Sequence, residues 1–339
     1  MHLAIQDGLD VVYVQMRVPR GRVGQLRSGR VGEALALLAL LLFSTNVLVV
    51  KVASTRLGQD VGFLLALGSN VLFAAVLFGG ERVISATPFA IEWDAFATFA
   101  IGGLFTSYLG RRLLFRSVQT IGPSRASALQ ITNPVFSAVI GWLVLGESLG
   151  TAAVLFVLLV VGGLYLTSRT STRTPTPVRP GAEPPSEAGT RRTSLPAPEV
   201  AVALLGAMSY AVGNVVRSGA VRYWNEAVFG ALLGASCATV VYLVAHTDLR
   251  RLAQRVRTSP RSGLWFWALS GVLTISAQIS LIAATRTIPV AVAVVVATAI
   301  PLIVVPASIL LFRNAEGVTG RTVAGVGLIF AGVAGIILT

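Results

Sequence analysis

The sequence predicts an all-α membrane protein, with ten transmembrane helices arranged as two inverted five-helix repeats. Apolar residues make up 54% of the 339 residues and charged residues only 12%, and the mean hydropathy is +0.78. A soluble globular domain has about 25% charged residues. Ten apolar runs, divided five and five by one polar segment, predict the number of helices and the repeat.

The apolar runs are long enough for membrane helices, since about 20 apolar residues span a bilayer. They cover residues 34–50, 61–79, 95–117, 124–145, 150–167, 199–217, 227–246, 263–285, 289–312 and 321–338. Apolar and polar residues do not alternate within them, which argues against a membrane barrel. The runs recur to the end of the chain, whereas a signal peptide has one such stretch near its start. The chain is therefore expected to cross the membrane many times.

The charges are typical of a membrane protein rather than of a nucleic-acid-binding protein. The net charge is +13, but the basic residues are split among the N-terminal arm, residues 168–198 and residues 250–261. Loops beside membrane helices explain this split through contact with anionic lipid head groups. We expect membrane lipids as partners and no nucleic acid.

Residues for a metal site or for catalysis are scarce. The chain has one cysteine, Cys237, and two histidines, so neither an intrachain disulfide nor a multi-ligand zinc site is expected. No nucleophile, metal cluster or acid/base pair is visible as an enzyme would require, and no GxxxxGK[ST] loop is present. We therefore predict no enzymatic activity, no metal and no cofactor.

A polar segment divides the chain into two similar halves. Residues 1–33 form a basic arm, 34–167 the first five-helix repeat, 168–198 a flexible linker rich in Pro, Ser, Thr and Arg, and 199–339 the second repeat. An offset of 167 residues aligns Pro134 with Pro301. Because each repeat has an odd number of helices, the two must enter the membrane from opposite sides, as in secondary transporters with a midplane cavity.

The third predicted helix carries charge inside an apolar run, in SYLGRRLLFRS (107–117). Tyr108, Arg112 and Arg116 follow i, i+4, i+8 spacing on one side, and Arg111 lies about a quarter turn away. Charges inside a spanning helix indicate function by default, and a cavity-facing Arg111 or Arg112 would pair with an anionic group of a substrate. The alternative is that Arg112 and Arg116 reach lipid phosphates near the helix end.

Two prolines interrupt apolar runs at matched places in the repeats. Pro134 follows Gln130 and Asn133, which share a helix face, and it removes a hydrogen bond to the carbonyl of Gln130. Pro134 and Pro301 are candidates for helix breaks with a gating role, and Gln130 and Asn133 for a cavity surface. A kink that only helps packing is the alternative.

Glu147, in LGES, is predicted to cap the start of the fifth helix. It lies at the membrane interface, which favours this structural role over proton transfer.

Further polar residues are spread over several predicted helices. Each is a candidate for lining a substrate cavity or, alternatively, for a hydrogen bond between helices. They are Asn46, Asn70, Tyr210, Asn214 and Thr274, together with Gln278, the repeat counterpart of Arg111.

The stretch FRSVQTIGPSRASALQITNPVFSAVIGWLVLGESLG (115–150) resembles the core of an EamA-type repeat, and residues 284–338 match the same pattern more loosely. The resemblance covers about residues 34–338 and departs at Asn314, where the terminal Glu of the pattern is expected. It implies the drug/metabolite transporter superfamily, with ten helices around a central cavity, and cytoplasmic termini. The excess of arginine on the linker face indicates the opposite orientation.

The resemblance and the inverted repeat together imply a secondary transporter in the plasma membrane. We expect a carrier that exports a small polar or amphipathic metabolite by alternating access. A lipid-handling protein of the flippase or scramblase kind is the alternative, because a lateral opening between helices leaves no motif.

Overall fold

The computed structural model describes residues 22–85, 89–121, 126, 129–168, 197–245, 254–256, 258–312 and 320–338. Nearly all of the predicted linker, and residues 1–21 of the predicted arm, lie outside these residues. In the described part of the chain all regular structure is helical. The main helices are α1 (Arg22–Ser54), α2 (Gln59–Ile84), α3 (Trp93–Gly103), α4 (Arg111–Ile121), α5 (Thr132–Leu145), α6 (Thr151–Ser168), α7 (Ala197–Tyr223), α8 (Ala227–Ala245), α9 (Arg261–Ala284), α10 (Val290–Thr298), α11 (Pro301–Phe312) and α12 (Gly320–Leu338).

Helix is present within every predicted apolar run, but among the described residues fewer than ten helices are long enough to span a membrane. Within the described ranges, seven have the length and composition to cross it, and two shorter apolar helices cover Thr132–Leu145 and Thr151–Thr167. The predicted run 95–117 contributes none of the seven, because it is divided into α3, a π-helical segment (Leu104–Gly110) and the arginine-bearing α4. Hydropathy located the helices but did not show where they break.

The first helix begins earlier than its apolar run predicts. α1 has 33 residues, which at about 1.5 Å per residue exceeds the thickness of a bilayer core of about 30 Å. Its first turns, RVGQLRSGRVGE, are too polar for a search based on hydropathy to detect. Part of α1 must therefore extend beyond the hydrocarbon region.

The matched prolines lie at helix starts rather than in helix middles. Ile131 forms a turn before α5, so Pro134 falls in the first turn of that helix. Ala299 and Ile300 separate α10 from α11, which begins at Pro301. A proline in the first turn removes an N–H that would have no helical partner. The expected loss of a hydrogen bond in mid-helix is therefore replaced by a break just before each proline.

The two halves interlock, since the first helix of each packs into the other half. α1 packs against α9 and α10, and α7 packs against α3, α4 and α5. The remaining pairs are also symmetric: α2 with α8, α6 with α12, and α5 with α10. These pairings indicate an approximate two-fold relation between the halves.

Glycines allow several of these helices to approach closely. A side chain at Gly163 would lie 2.6 Å from the carbonyl oxygen of Gly325 where α6 meets α12, and one at Gly213 would lie 2.6 Å from that of Gly102 where α7 meets α3. Small residues at helix crossings are typical of membrane bundles, because dispersion contacts replace the hydrophobic effect there. These crossings fix the backbone around the site described below.

The outer surface is strongly apolar. Trp142, Leu143 and Val144 near the end of α5 are all more than 60% exposed, as is Trp265 on α9. Contiguous exposed apolar surface of this kind is rare on soluble monomers. It is the surface that a lipid environment requires.

Candidate functional site

A stripe of polar residues runs along the inner face of α7. Tyr210, Asn214 and Arg217 follow i, i+4, i+7 spacing, so they lie on one side of the helix. That side faces the first half of the chain, because α7 packs against α3, α4 and α5. The α7 stripe, defined by these three residues, therefore lies between the halves.

Arg217 is the buried cation of the stripe. It is 3% exposed and lies six residues before the end of α7, about 9 Å inside it along the axis. Its Nη1 donates to Oε1 of Gln278 at 3.0 Å and its Nη2 to Oδ1 of Asn214 at 3.3 Å, while its Nε has no partner. Both acceptors are neutral amides.

No carboxylate balances this charge in the part of the chain that the structure describes. The ion pairs found there involve Glu81, Glu147 and Glu226 and do not reach Arg217. A buried charge is normally paired. Sequence reasoning missed Arg217 because it lies near the end of an apolar run, where an arginine is expected to reach the lipid interface.

A second arginine, Arg111 of α4, lies at the other end of the stripe. The guanidinium of Arg111 interacts with the Tyr210 hydroxyl and lies over the ring of Phe63, 5.4 Å from its centre. Nearby, Nε2 of Gln130 is buried without a hydrogen-bond partner and lies close to Gly206 of α7. Seven residues, about 10 Å of helix, separate Tyr210 from Arg217.

A second polar stripe, on α9, meets the first at Gln278. Ser270, Thr274 and Gln278 have i, i+4, i+8 spacing, and all three are buried. The Ser270 hydroxyl donates to Oδ1 of Asn46 on α1 at 2.7 Å, and the Thr274 hydroxyl donates to the Ser270 carbonyl at 2.8 Å. Of the predicted candidates on α1 and α9, Gln278 contacts Arg217, and Asn46 is joined to the α9 stripe through Ser270.

The first turns of α5 add one more polar contact beside α7. Asn133 and Pro134 are both buried, and the Ser137 hydroxyl donates to Oδ1 of Asn133 at 3.3 Å.

Two predicted residues lie apart from the stripes. Tyr108 packs with Val61, Leu67 and Ala238, and Arg112 is exposed and donates from Nη1 to the Tyr108 hydroxyl at 2.5 Å. The structure thus separates Arg111, which faces α7, from Arg112, which does not. The π-helical segment just before them also contacts α7, where the Ser209 hydroxyl donates to the Phe105 carbonyl at 2.8 Å.

Glu147 caps a helix of the other half, and the prediction that it caps the fifth helix is wrong. Its carboxylate accepts the Val290 N–H at the start of α10 at 3.0 and 3.1 Å and pairs with Arg222 at the end of α7. The left-handed backbone of Gly146, with φ of 63°, ends α5 and turns Glu147 toward α10. Spacing along the chain could not show a partner from the other repeat.

A second contact ties the halves at the same end of the bundle. Arg82 at the end of α2 donates to both carboxylate oxygens of Glu226 at 3.0 and 3.2 Å. Burial raises the pKa of Glu226, and the nearby Arg82 opposes that rise. We call this end, defined by Arg82, Glu147, Arg222 and Glu226, the latch end.

Within the described ranges, no three His, Cys, Asp or Glu residues are grouped so that they could hold a metal ion. The repeated helical fold, the apolar surface and the polar stripes between the halves define a multi-pass membrane protein. The sequence model of the EamA-like transporter family matches residues 30–169 and 197–338. The chain belongs to this family, which consists of membrane transporters of the drug/metabolite superfamily rather than of enzymes.

Solved structures support the fold. One, described only as the crystal structure of a protein, aligns with a TM-score of 0.62 over 90% of this chain and 95% of its own, at 18% identity. At that identity the likeness shows the fold alone. A search of curated protein sequences found no match.

Proposed function

We propose that this transporter is a secondary carrier that exports a small polar or amphipathic metabolite across the plasma membrane. The observation that carries the proposal is the α7 stripe, a line of polar residues with a buried charge between two interlocked halves. Transporter cavities lie at the interface of repeats near the bilayer midplane. Polar side chains at that depth are costly unless a function retains them.

In this proposal the chain crosses the membrane ten times, as two inverted repeats of five helices in residues 34–167 and 199–339. The α3–π–α4 unit forms one crossing, the segment ending in α5 a second, and α10 with α11 a third. The symmetric helix pairing supports two equivalent repeats, and the odd number of helices in each requires opposite orientations. Broken helices are tolerated at membrane depth where they line a cavity.

The substrate cavity is proposed to lie along the two polar stripes. Its lining combines Arg111, Tyr210, Asn214, Thr274 and Gln278, with contributions from Asn46, Gln130 and Asn133. The breaks before Pro134 and Pro301 are the proposed hinges, one in each repeat. Short breaks of this kind absorb the backbone rotation that alternating access requires.

The latch end supplies a gate for this mechanism. Glu147 and Glu226 belong to different halves, and each binds an arginine of the opposite half across the interface. Alternating access requires such contacts to break when the carrier opens toward that side. In this proposal, the present arrangement is the state closed at the latch end.

Metabolite profiling tests the proposed export. Cells with and without the gene are compared by untargeted mass spectrometry of cytosol and medium, and the purified protein in liposomes is then tested with the compounds that differ. We expect at least one small polar compound to move from cell to medium with the gene and to leave the liposomes. Lipid scrambling without metabolite efflux would instead assign a lipid-handling role.

A further inference from the structure

The charge of Arg217 lacks a counter-charge in the described structure. A guanidinium has five N–H donors and no acceptor. Two neutral amide oxygens accept from it, and Nε is buried with no partner. Burying a charged side chain with only neutral partners costs more free energy of desolvation than burying a neutral side chain of similar size. A purely structural hydrogen-bond network could be built without this charge.

The surroundings of Arg217 fix its position but do not neutralise it. The glycines at 102 and 213 bring the α3 and α7 backbones together beside it, and a side chain at Gly102 would lie 2.6 Å from its Cγ. Gln278 belongs to α9 and Asn214 to α7 itself. The guanidinium is thus held at the junction of three helices from both halves, where an alternating-access movement would act on it.

Neutral amides are weaker acceptors for a guanidinium than a carboxylate is. Charge-assisted hydrogen bonds are roughly twice as strong as those between neutral groups, and a carboxylate can accept two parallel N–H groups from arginine. The amides of Gln278 and Asn214 can therefore hold Arg217 in the empty carrier and still give way to an anionic ligand.

We propose that Arg217 binds the acidic group of the substrate, which is a small organic acid, and that Gln278 and Asn214 hold the guanidinium in its absence. This inference rests on the proposed transport function and names its substrate class. The single charge of Arg217 and the planar fork of its donors favour a monoanionic carboxylate. Tyr210, about 10 Å further along α7, and Arg111 of α4, which interacts with the Tyr210 hydroxyl, bind polar groups at the far end of the same ligand.

The substrate class is tested with the purified full-length protein in liposomes loaded with a methanol extract of soluble cell metabolites. Mass spectrometry of the outer solution shows which compounds leave faster than from empty liposomes. We expect organic acids to be enriched among them. Efflux confined to neutral or cationic compounds would overturn the inference and leave the carrier function intact, whereas efflux of no compound would refute both.

Charge variants then test the role of Arg217 itself. Arg217→Gln should slow efflux of the exported acid by about ten- to hundredfold, the factor expected for one charge-assisted hydrogen bond, while Arg217→Lys should retain more of the rate. Arg321→Gln removes the same charge from an exposed position at the start of α12 and is the matched control. Equal rates for Arg217→Gln and this control would overturn the inference.

The variant Gln278→Glu distinguishes a substrate-binding role of Arg217 from a structural one, and it leaves Arg217 itself in place. It places a permanent carboxylate where the amide oxygen now accepts from Nη1. If Arg217 is only structural, this stronger partner preserves efflux. If Arg217 binds the substrate, the built-in carboxylate competes with it, and the variant should fold at least as well as the wild type yet lose export by a similar factor. Wild-type efflux from Gln278→Glu would contradict the proposal.

Discussion

The crossing of α3 and α7 beside the polar stripe yields a quantitative prediction for Gly213→Ala. The new Cβ would lie 2.5 Å from Cγ2 of Thr106, 2.6 Å from the Gly102 carbonyl oxygen and 3.0 Å from the Thr106 nitrogen. The last two are backbone atoms, so neither can move aside as a flexible side chain could. The closer of these two backbone contacts is 0.8 Å shorter than the 3.4 Å at which ordinary contact begins, and the helices must separate by about that distance.

The free energy of unfolding should fall by roughly 1 kcal/mol in this variant. Overpacking of a close-packed interior costs about 1–3 kcal/mol. Alanine offsets about 0.5–1 kcal/mol of this cost, because its backbone loses less conformational freedom than that of glycine when the helix folds. The control is Gly68→Ala on α2, where a Cβ would meet nothing within 4 Å. That variant has only the helix-propensity gain and should be as stable as the wild type or slightly more so.

Unfolding of the purified protein in detergent, followed by tryptophan fluorescence against temperature or denaturant, measures both variants. If unfolding is irreversible, inactivation half-lives at one temperature replace the midpoint. We expect Gly213→Ala to unfold first and Gly68→Ala not to. Equal stability of the two variants would refute the close approach of α3 and α7, and with it the position of Arg217 between the halves.

Three other variants test the latch end and the hinges. Glu147→Gln should lower the free energy of unfolding by about 0.5–2 kcal/mol, because the partly exposed ion pair with Arg222 is lost and the cap on α10 is weakened. The exposed Glu92→Gln should change nothing in the same assay. Arg82→Gln removes the guanidinium that opposes the rise in the pKa of Glu226. The loss of stability in this variant should therefore be small below pH 4.5 and should grow as the pH rises through the Glu226 pKa. A loss of stability independent of pH would exclude the coupling between Arg82 and Glu226. Pro134→Ala should slow turnover more than it weakens substrate binding, and unchanged turnover in a transport assay would assign Pro134 to packing.

The sequence predicted the helical fold because the membrane imposes simple rules. Hydropathy alone placed helix in all ten runs, from residues 34–50 to residues 321–338, and the matched positions of Pro134 and Pro301 indicated two repeats. Backbone hydrogen bonds must be satisfied inside a bilayer, which leaves few alternatives to helices. Break positions were harder to predict, since they depend on how Ile131 and Ala299 pack against other helices.

The candidate site was predicted in part. Tyr210, Asn214 and Gln278 were identified as polar residues in apolar runs, and the structure joins two of them through Arg217. Arg217 itself was not identified, because position near a helix end does not show whether a side chain points to lipid or to a helix of the other half. The partner of Glu147 was missed for the same reason. Contacts between repeats depend on packing, which spacing along one chain does not encode.

An exchange assay in liposomes tests most directly the claim that this protein is an alternating-access carrier. Liposomes containing the purified protein are loaded with the metabolite identified by profiling in isotope-labelled form, and efflux is measured with and without the unlabelled compound outside. A carrier that alternates between two faces returns faster when it is loaded, so external compound should accelerate efflux of the label. Efflux unaffected by external compound would indicate a channel, and no efflux of any identified metabolite would contradict the proposed function.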